Sequence, residues 1–125
     1  MLGVWRVKAD NIILSKSKAF AVRIVRLYQY LCNDKKEFVL SKQLLRSGTS
    51  IGANVKEAVR GQSKTDFISK MSIALKEASE TEYWLELLHE TDFLDETQYQ
   101  SIYTDNQELL KILTSIIKSS KERRT

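Results

Sequence analysis

Proline is absent from this 125-residue chain, glycine occurs four times and cysteine once. β-Rich proteins normally draw on proline and glycine for their turns, so this scarcity points to an all-helical chain. A single cysteine, Cys32, excludes an internal disulfide and suits a reducing compartment. No apolar run reaches the roughly 18 residues needed to span a bilayer. The opening MLGVWRVKADN also lacks the basic-then-apolar layout of a signal peptide. A cytoplasmic protein with no membrane association is therefore expected, forming one domain over residues 1–125 with fraying at 1–11 and 120–125.

What is present is helical periodicity. Ile13, Ser17, Phe20, Ile24, Leu27 and Leu31 recur at spacings of three and four and predict a first helix over about 12–32. After the linker NDKKEF, a second helix over about 40–60 puts Leu40, Leu44, Ser47, Ile51, Asn54 and Ala58 on one face. Ser63 with Asp66 reads as a capping box opening a third helix over about 64–90, with Phe67, Met71, Ala74, Ala78, Thr81, Leu85 and Leu88 inside. Asp95 with Gln98 reads as another, opening a fourth over about 96–119 that buries Tyr99, Ile102, Asn106, Leu109, Leu113 and Ile116. Four amphipathic helices with short connections imply an all-α, antiparallel up-and-down four-helix bundle.

Charge is unevenly distributed. Residues 1–64 hold 13 Lys/Arg against 4 Asp/Glu, and residues 65–125 hold 7 against 12. That asymmetry suits a basic surface for nucleic acid, complementary subunit faces, or two helix pairs that neutralise each other within one bundle. The outward face of the second helix carries Lys42, Thr49, Lys56 and Arg60, and the first adds Lys16, Arg23 and Arg26. Together these six cations are candidate phosphate contacts, with nothing to suggest base readout; a merely solvated basic face is the alternative.

The stretch RSGTSIGANVKE, residues 46–57, places Gly48 and Gly52 inside a helix, where each costs about 1 kcal/mol relative to alanine. No strand precedes it and no Gly-Lys-Ser/Thr ending follows, so a phosphate loop is disfavoured and close helix packing is the better reading. Arg46, Ser50, Asn54 and Glu57 lie along one flank, where they form a polar layer inside the bundle or meet Glu77 and Glu80 of a neighbouring subunit. The third helix has a second apolar face, Ile73, Trp84 and Leu87, about 100° or more from its core stripe. In a monomer Trp84 would be substantially exposed there, which makes this face a candidate oligomer contact. Glu86 and His89 have di-iron spacing, but such a site needs two Glu-x-x-His pairs and His89 is the sole histidine. His89 is expected at the surface and Cys32 as a small packed group. No nucleophile, base and orienting group assemble, so neither catalysis, a metal nor a cofactor is expected.

QLLRSGTSIGANVKEA (43–58), SKTDFISKMSIALKEASETEYWLELL (63–88) and KAFAVRIVRLYQYL (18–31) closely resemble the four-helix-bundle family named after proteins encoded within 23S rRNA intervening sequences. The resemblance covers about residues 11–119. It implies a bacterial protein of this fold and supplies no catalytic residue. Arg46, Ser47, Ser50, Asn54 and Glu57 match recurrent positions of the family's second helix, and Glu77, Glu80 and Trp84 those of the third. Ala58 departs from the glycine of more distant relatives. The fold is also similar to the accessory variability determinant of diversity-generating retroelements, a basic, ring-shaped pentamer that binds nucleic acid and partners a reverse transcriptase. By that resemblance the expected assembly is a homopentamer with a basic surface for sequence-tolerant RNA or DNA binding. It would act as an adaptor for a nucleic-acid-processing partner. The alternative is a protein-interaction scaffold that binds no nucleic acid.

Overall fold

Helix propensity and amphipathic spacing carry four long helices: α1 (Val4–Asn33), α2 (Leu40–Val59), α3 (Lys64–Glu90) and α4 (Glu96–Glu122). The computed structural model describes the backbone of residues 4–122 and the side chains of residues 8–122. α1 starts ahead of the expected Ile12, and α4 continues past residue 119. Packing explains the added turns: Asp10 and Ser120 are buried and Ala9 lies against the core, so helix is retained where fraying was expected. The remainder of the expected frayed ends, residues 1–3 and 123–125, lies outside the described residues.

The helices form a square in chain order. α2 packs against α1 and α3, α4 packs against α3, and α1 meets α4 along the thinnest seam. One core fills the middle, built mainly from the predicted stripes: Ile13, Phe20, Ile24 and Leu31 from α1, Leu44 and Ile51 from α2, Phe67 through Leu88 from α3, and Ile102 through Ile116 from α4, with Val55 and Ile117 added and Leu27, Leu40 and Tyr99 only half-buried. Of the polar members of these stripes Ser17, Ser47, Thr81 and Asn106 are also buried, while Asn54 is half-buried. Thr81 Oγ1 lies 2.9 Å from Ser47 Oγ, and Asn106 donates from Nδ2 to the Ala78 carbonyl at 3.0 Å. These pairs fix the height of α2 against α3 and of α3 against α4, because a shift of one turn would strand a buried polar group.

Both predicted caps form. Ser63 accepts from the Asp66 amide at 3.0 Å, and Asp95 and Gln98 exchange two bonds of 2.7 and 2.9 Å. α2 is capped differently. Val39 stands at the cap position and offers no side-chain acceptor. Instead the Glu37 carboxylate turns inward and accepts from the amides of Val39, Leu40 and Ser41 at 3.2, 3.0 and 2.7 Å. Burial alone would raise the Glu37 pKa, but these backbone bonds outweigh it and hold the carboxyl below its ordinary range.

Candidate functional site

The glycine-bearing stretch of α2 faces α1. A Cβ at Gly48 would stand 2.8 Å from both γ carbons of Ile24, and one at Gly52 would stand 3.3 Å from the Ser17 carbonyl oxygen. The two glycines therefore let α2 ride against the backbone and a β-branched side chain of α1, and the packing expectation holds. The same approach leaves a shallow groove of about 510 Å³ on the outer side, lined by Ala21, Gly52 and Ala53 and flanked by Lys18 and Lys56.

The opposite flank of α2 is polar. Ser50 donates to the Arg46 carbonyl at 2.6 Å and Asn54 to the Ser50 carbonyl at 2.8 Å, so both side chains are held by their own helix. Arg46 reaches across to α3, donating to both Glu77 oxygens at 3.2 Å and also to Glu80. Glu80 accepts a further bond from the Trp84 indole N–H at 3.2 Å. The indole, and then the Arg46 guanidinium, hold the Glu80 carboxyl below its ordinary range against the effect of burial, while Glu77 and Glu80 raise the Arg46 pKa. Glu57 completes this seam with Lys70 at 3.0 Å. Within the single chain, Arg46 thus already meets Glu77 and Glu80 across the α2–α3 seam.

Trp84 is not left exposed as expected. It is half-buried, packed against the core with its N–H satisfied, because the α2–α3 seam is close enough for the ring to cover it. What remains outward on α3 is Ile73, 37% exposed, with the half-buried Leu87 and the exposed Tyr83, whose ring meets Trp84 edge-on at a centroid distance of 5.0 Å. Tyr83 is the most exposed of this group and lay outside the sequence-based set. Its spacing alone placed it opposite the core with nothing to mark it.

The six candidate phosphate contacts divide. Lys16 pairs with Glu108 at 3.1 Å, and Arg23 donates to Asp105, at 2.6 Å, and to Ser101. Both are thus drawn into the α1–α4 seam, because α4 turns an acidic edge to α1 at the same height. Arg26, Lys42, Lys56 and Arg60 are exposed and make no ion pair among the described residues. Lys42, Lys56 and Arg60 share the outward face of α2, with Lys42 and Lys56 about 21 Å apart at the helical rise.

Acidic groups gather on the other side of the bundle. Glu82, Glu86 and Glu90 follow one another at four-residue intervals on α3, and Tyr103 donates to Glu82 at 3.2 Å. Burial, with the neighbouring Glu82 and Glu90, raises the Glu86 pKa, and burial likewise raises those of Tyr99 and Tyr103. His89 is not a bare surface group: it stacks on Tyr99 at 4.1 Å and places Nε2 3.0 Å from Glu96. Among the described residues no three His, Cys, Asp or Glu side chains converge as metal ligands. Cys32 is half-buried with Sγ 3.8 Å from the Ser41 hydroxyl. No helix among the described residues is long and apolar enough to cross a membrane.

No functionally curated protein matches the chain. A crystal structure from Bacteroides thetaiotaomicron, of a protein described as having unknown function and belonging to the S23 ribosomal protein family, is similar over 88% of this chain and 98% of its own. The two are 61% identical, with a TM-score of 0.87. The family model of the 23S rRNA-intervening sequence protein matches residues 9–115, which reach into all four helices. On this match the chain belongs to the 23S rRNA-intervening sequence protein family.

Proposed function

We propose that this protein is a non-enzymatic, cytoplasmic adaptor that assembles with copies of itself, as a pentamer, and binds the phosphate backbone of RNA or DNA with little sequence preference. The observation that carries the reading is the unpaired stripe Lys42, Lys56 and Arg60 on the outward face of α2. The one acid on α2, Glu57, is paired with Lys70 in the α2–α3 seam, and the exposed Asp34 lies off α2 on the α1–α2 turn, so no carboxylate of α2 itself cancels the stripe's attraction for an anionic polymer. Self-association uses the outer face of α3, where Ile73, Tyr83 and Leu87 keep apolar surface at or near solvent beside Trp84. Repetition of the stripe around a ring multiplies a weak contact into a useful one. A nucleic-acid-processing protein is the partner such an adaptor would serve.

The test is a titration of labelled RNA and DNA at two salt concentrations. Binding at low salt that weakens steeply at high salt, and a shallower salt slope in Lys42→Ala/Lys56→Ala/Arg60→Ala, are the expected results. Absence of binding at low salt would overturn the nucleic-acid reading and leave a protein-interaction scaffold. Light scattering tests assembly separately: Ile73→Asp should reduce the particle mass, and a wild-type monomer at micromolar concentration rules the assembly out.

A further inference from the structure

The turns α1–α2 and α3–α4 lie at the same pole of the antiparallel bundle, and they enter the following helix alike, although the first turn is one residue longer. In each, a non-glycine residue in the left-handed region follows the first helix within three residues, Lys36 with φ 55° and Asp92 with φ 68°, and the next helix begins four residues later. The residue after it returns an amide bond to the preceding helix, Glu37 to the Leu31 carbonyl and Phe93 to the Leu88 carbonyl, both at 2.9 Å. The shared backbone makes the difference in side chains informative. In the α3–α4 turn the apolar residues go inward: Phe93 packs on the core and Leu94 is 1% exposed, while Asp95 supplies the polar cap.

In the α1–α2 turn the pattern is inverted. The acid, Glu37, is buried and spends its carboxylate on the backbone of α2, while the apolar Phe38 and Val39 are 54% and 71% exposed. Val39 occupies the very position at which Asp95 caps α4, so the turn sets aside a good cap residue to hold apolar surface in water. Lys35, Lys36 and Lys42 lie within four residues of Phe38 along the chain, all exposed and none paired with a carboxylate among the described residues, and they outnumber the one exposed acid of the turn, Asp34. The helix N-terminus itself is no anion site, because Glu37 already takes its free amides.

We infer that the α1–α2 turn is a stacking platform for single-stranded nucleic acid, with Phe38 receiving a base and Lys35, Lys36 and Lys42 the adjoining phosphates. An exposed ring among cations is what sequence-tolerant single-strand binding needs, since every base has a face to stack while the charges hold the backbone. The strand runs from the turn along α2, past Lys42 towards Lys56, because the acidic α3–α4 turn, with Asp92, Asp95 and Glu96, closes the way across the pole. The inference rests on the proposed nucleic-acid binding and adds to it a strand preference that the stripe on α2 alone does not supply. Glu37 anchors the turn from within, so the platform is fixed in advance and little order has to be gained on binding.

Fluorescence anisotropy with labelled oligothymidylate, oligouridylate and a mixed-sequence duplex tests it. Phe38→Ala and Phe38→Leu should each weaken single-strand binding about tenfold and leave duplex binding unchanged, since leucine keeps apolar area but offers no ring to stack. Equal losses on single strand and duplex, or no loss at all, overturn the platform while the binding on α2 stands. Wild-type protein that binds no oligonucleotide overturns both readings. Two further outcomes overturn it in favour of another occupant. One is Phe38-dependent binding to phosphatidylserine vesicles with no effect of Phe38→Ala on oligonucleotides. The other is a change of oligomeric mass in Phe38→Ala with single-strand affinity intact.

Discussion

Replacing Gly48 by alanine sets two opposing effects against each other in α2. Alanine improves helix propensity by about 1 kcal/mol over glycine. Against this, its Cβ would lie 2.8 Å from both γ carbons of Ile24, a contact that real side chains do not tolerate. Ile24 is fully buried and β-branched on a helix, so its rotamer cannot swing away and the backbones must part. Overpacking of this kind costs about 1–3 kcal/mol, which leaves Gly48→Ala less stable by up to about 2 kcal/mol. Gly52→Ala meets the Ser17 carbonyl at 3.3 Å, a tighter-than-usual contact that a small adjustment relieves, so its two effects should nearly cancel. Urea unfolding followed by far-UV circular dichroism, at one fixed protein concentration, measures both variants. A double-mutant cycle with Ile24→Ala isolates the cause. Alone that substitution costs about 2–5 kcal/mol, but with Gly48→Ala it removes the clashing carbons, and the pair should be more stable than the sum by the relieved overpacking, about 1–3 kcal/mol. Ile24→Val keeps both γ carbons and should give no such rescue. A more stable Gly48→Ala, or strict additivity with Ile24→Ala, would refute the argument that Gly48 serves the approach of α2 to α1.

Glu37→Gln should lower stability at neutral pH by about 1 kcal/mol, as loss of a cap does. The folded Glu37 carboxyl lies below its unfolded value of about 4.3, so its contribution is present above that pH and is lost as pH falls through the folded value. Wild type and variant should therefore converge on acidification, and a constant gap in thermal melts across pH 2–7 contradicts the assignment. Glu86 has the opposite sign: its pKa is raised, so ionisation costs stability as pH climbs through and above about 4.3. Glu86→Gln should gain a few tenths of a kcal/mol at neutral pH, typical of relieved like charges on a helix, and nothing in acid; a loss at neutral pH would count against the crowding. Asn106 is fully buried with its Oδ1 unpartnered, so the near-isosteric Asn106→Leu should raise stability by about 1–2 kcal/mol in urea, and a lowered midpoint would show that the amide is satisfied after all.

The arrangement of helices follows from local physics and was legible. Apolar residues at spacings of three and four name the buried face, and the seven predicted core positions of α3 are the ones buried. Ser63 and Asp95 mark helix starts because their side chains bond within three residues, a range at which sequence spacing is geometry. The added turns of α1 were not legible, because Asp10 and Ala9 are helical through packing that their own residue types do not announce. Glu37 was passed over as linker because a carboxylate two residues before the cap position has no fixed spacing rule, and only the reversal of the chain aims it at α2.

Charges show the division most clearly. The sequence by itself determined a four-helix bundle, a basic first half, an acidic second half and a pair of glycines that had to serve packing, since these depend on periodicity, composition and the cost of a missing Cβ. Only the tertiary structure decided which cations remain available. Lys16 and Arg23 look no different from Lys42 and Lys56 along the chain, yet the first two meet Glu108 and Asp105 and the second two meet no acid among the described residues. It also decided that Trp84 packs against the core while Phe38 is left 54% exposed. An ion pair and a buried ring each need a partner far away in sequence, and helical phase fixes the direction of a side chain but not what it meets.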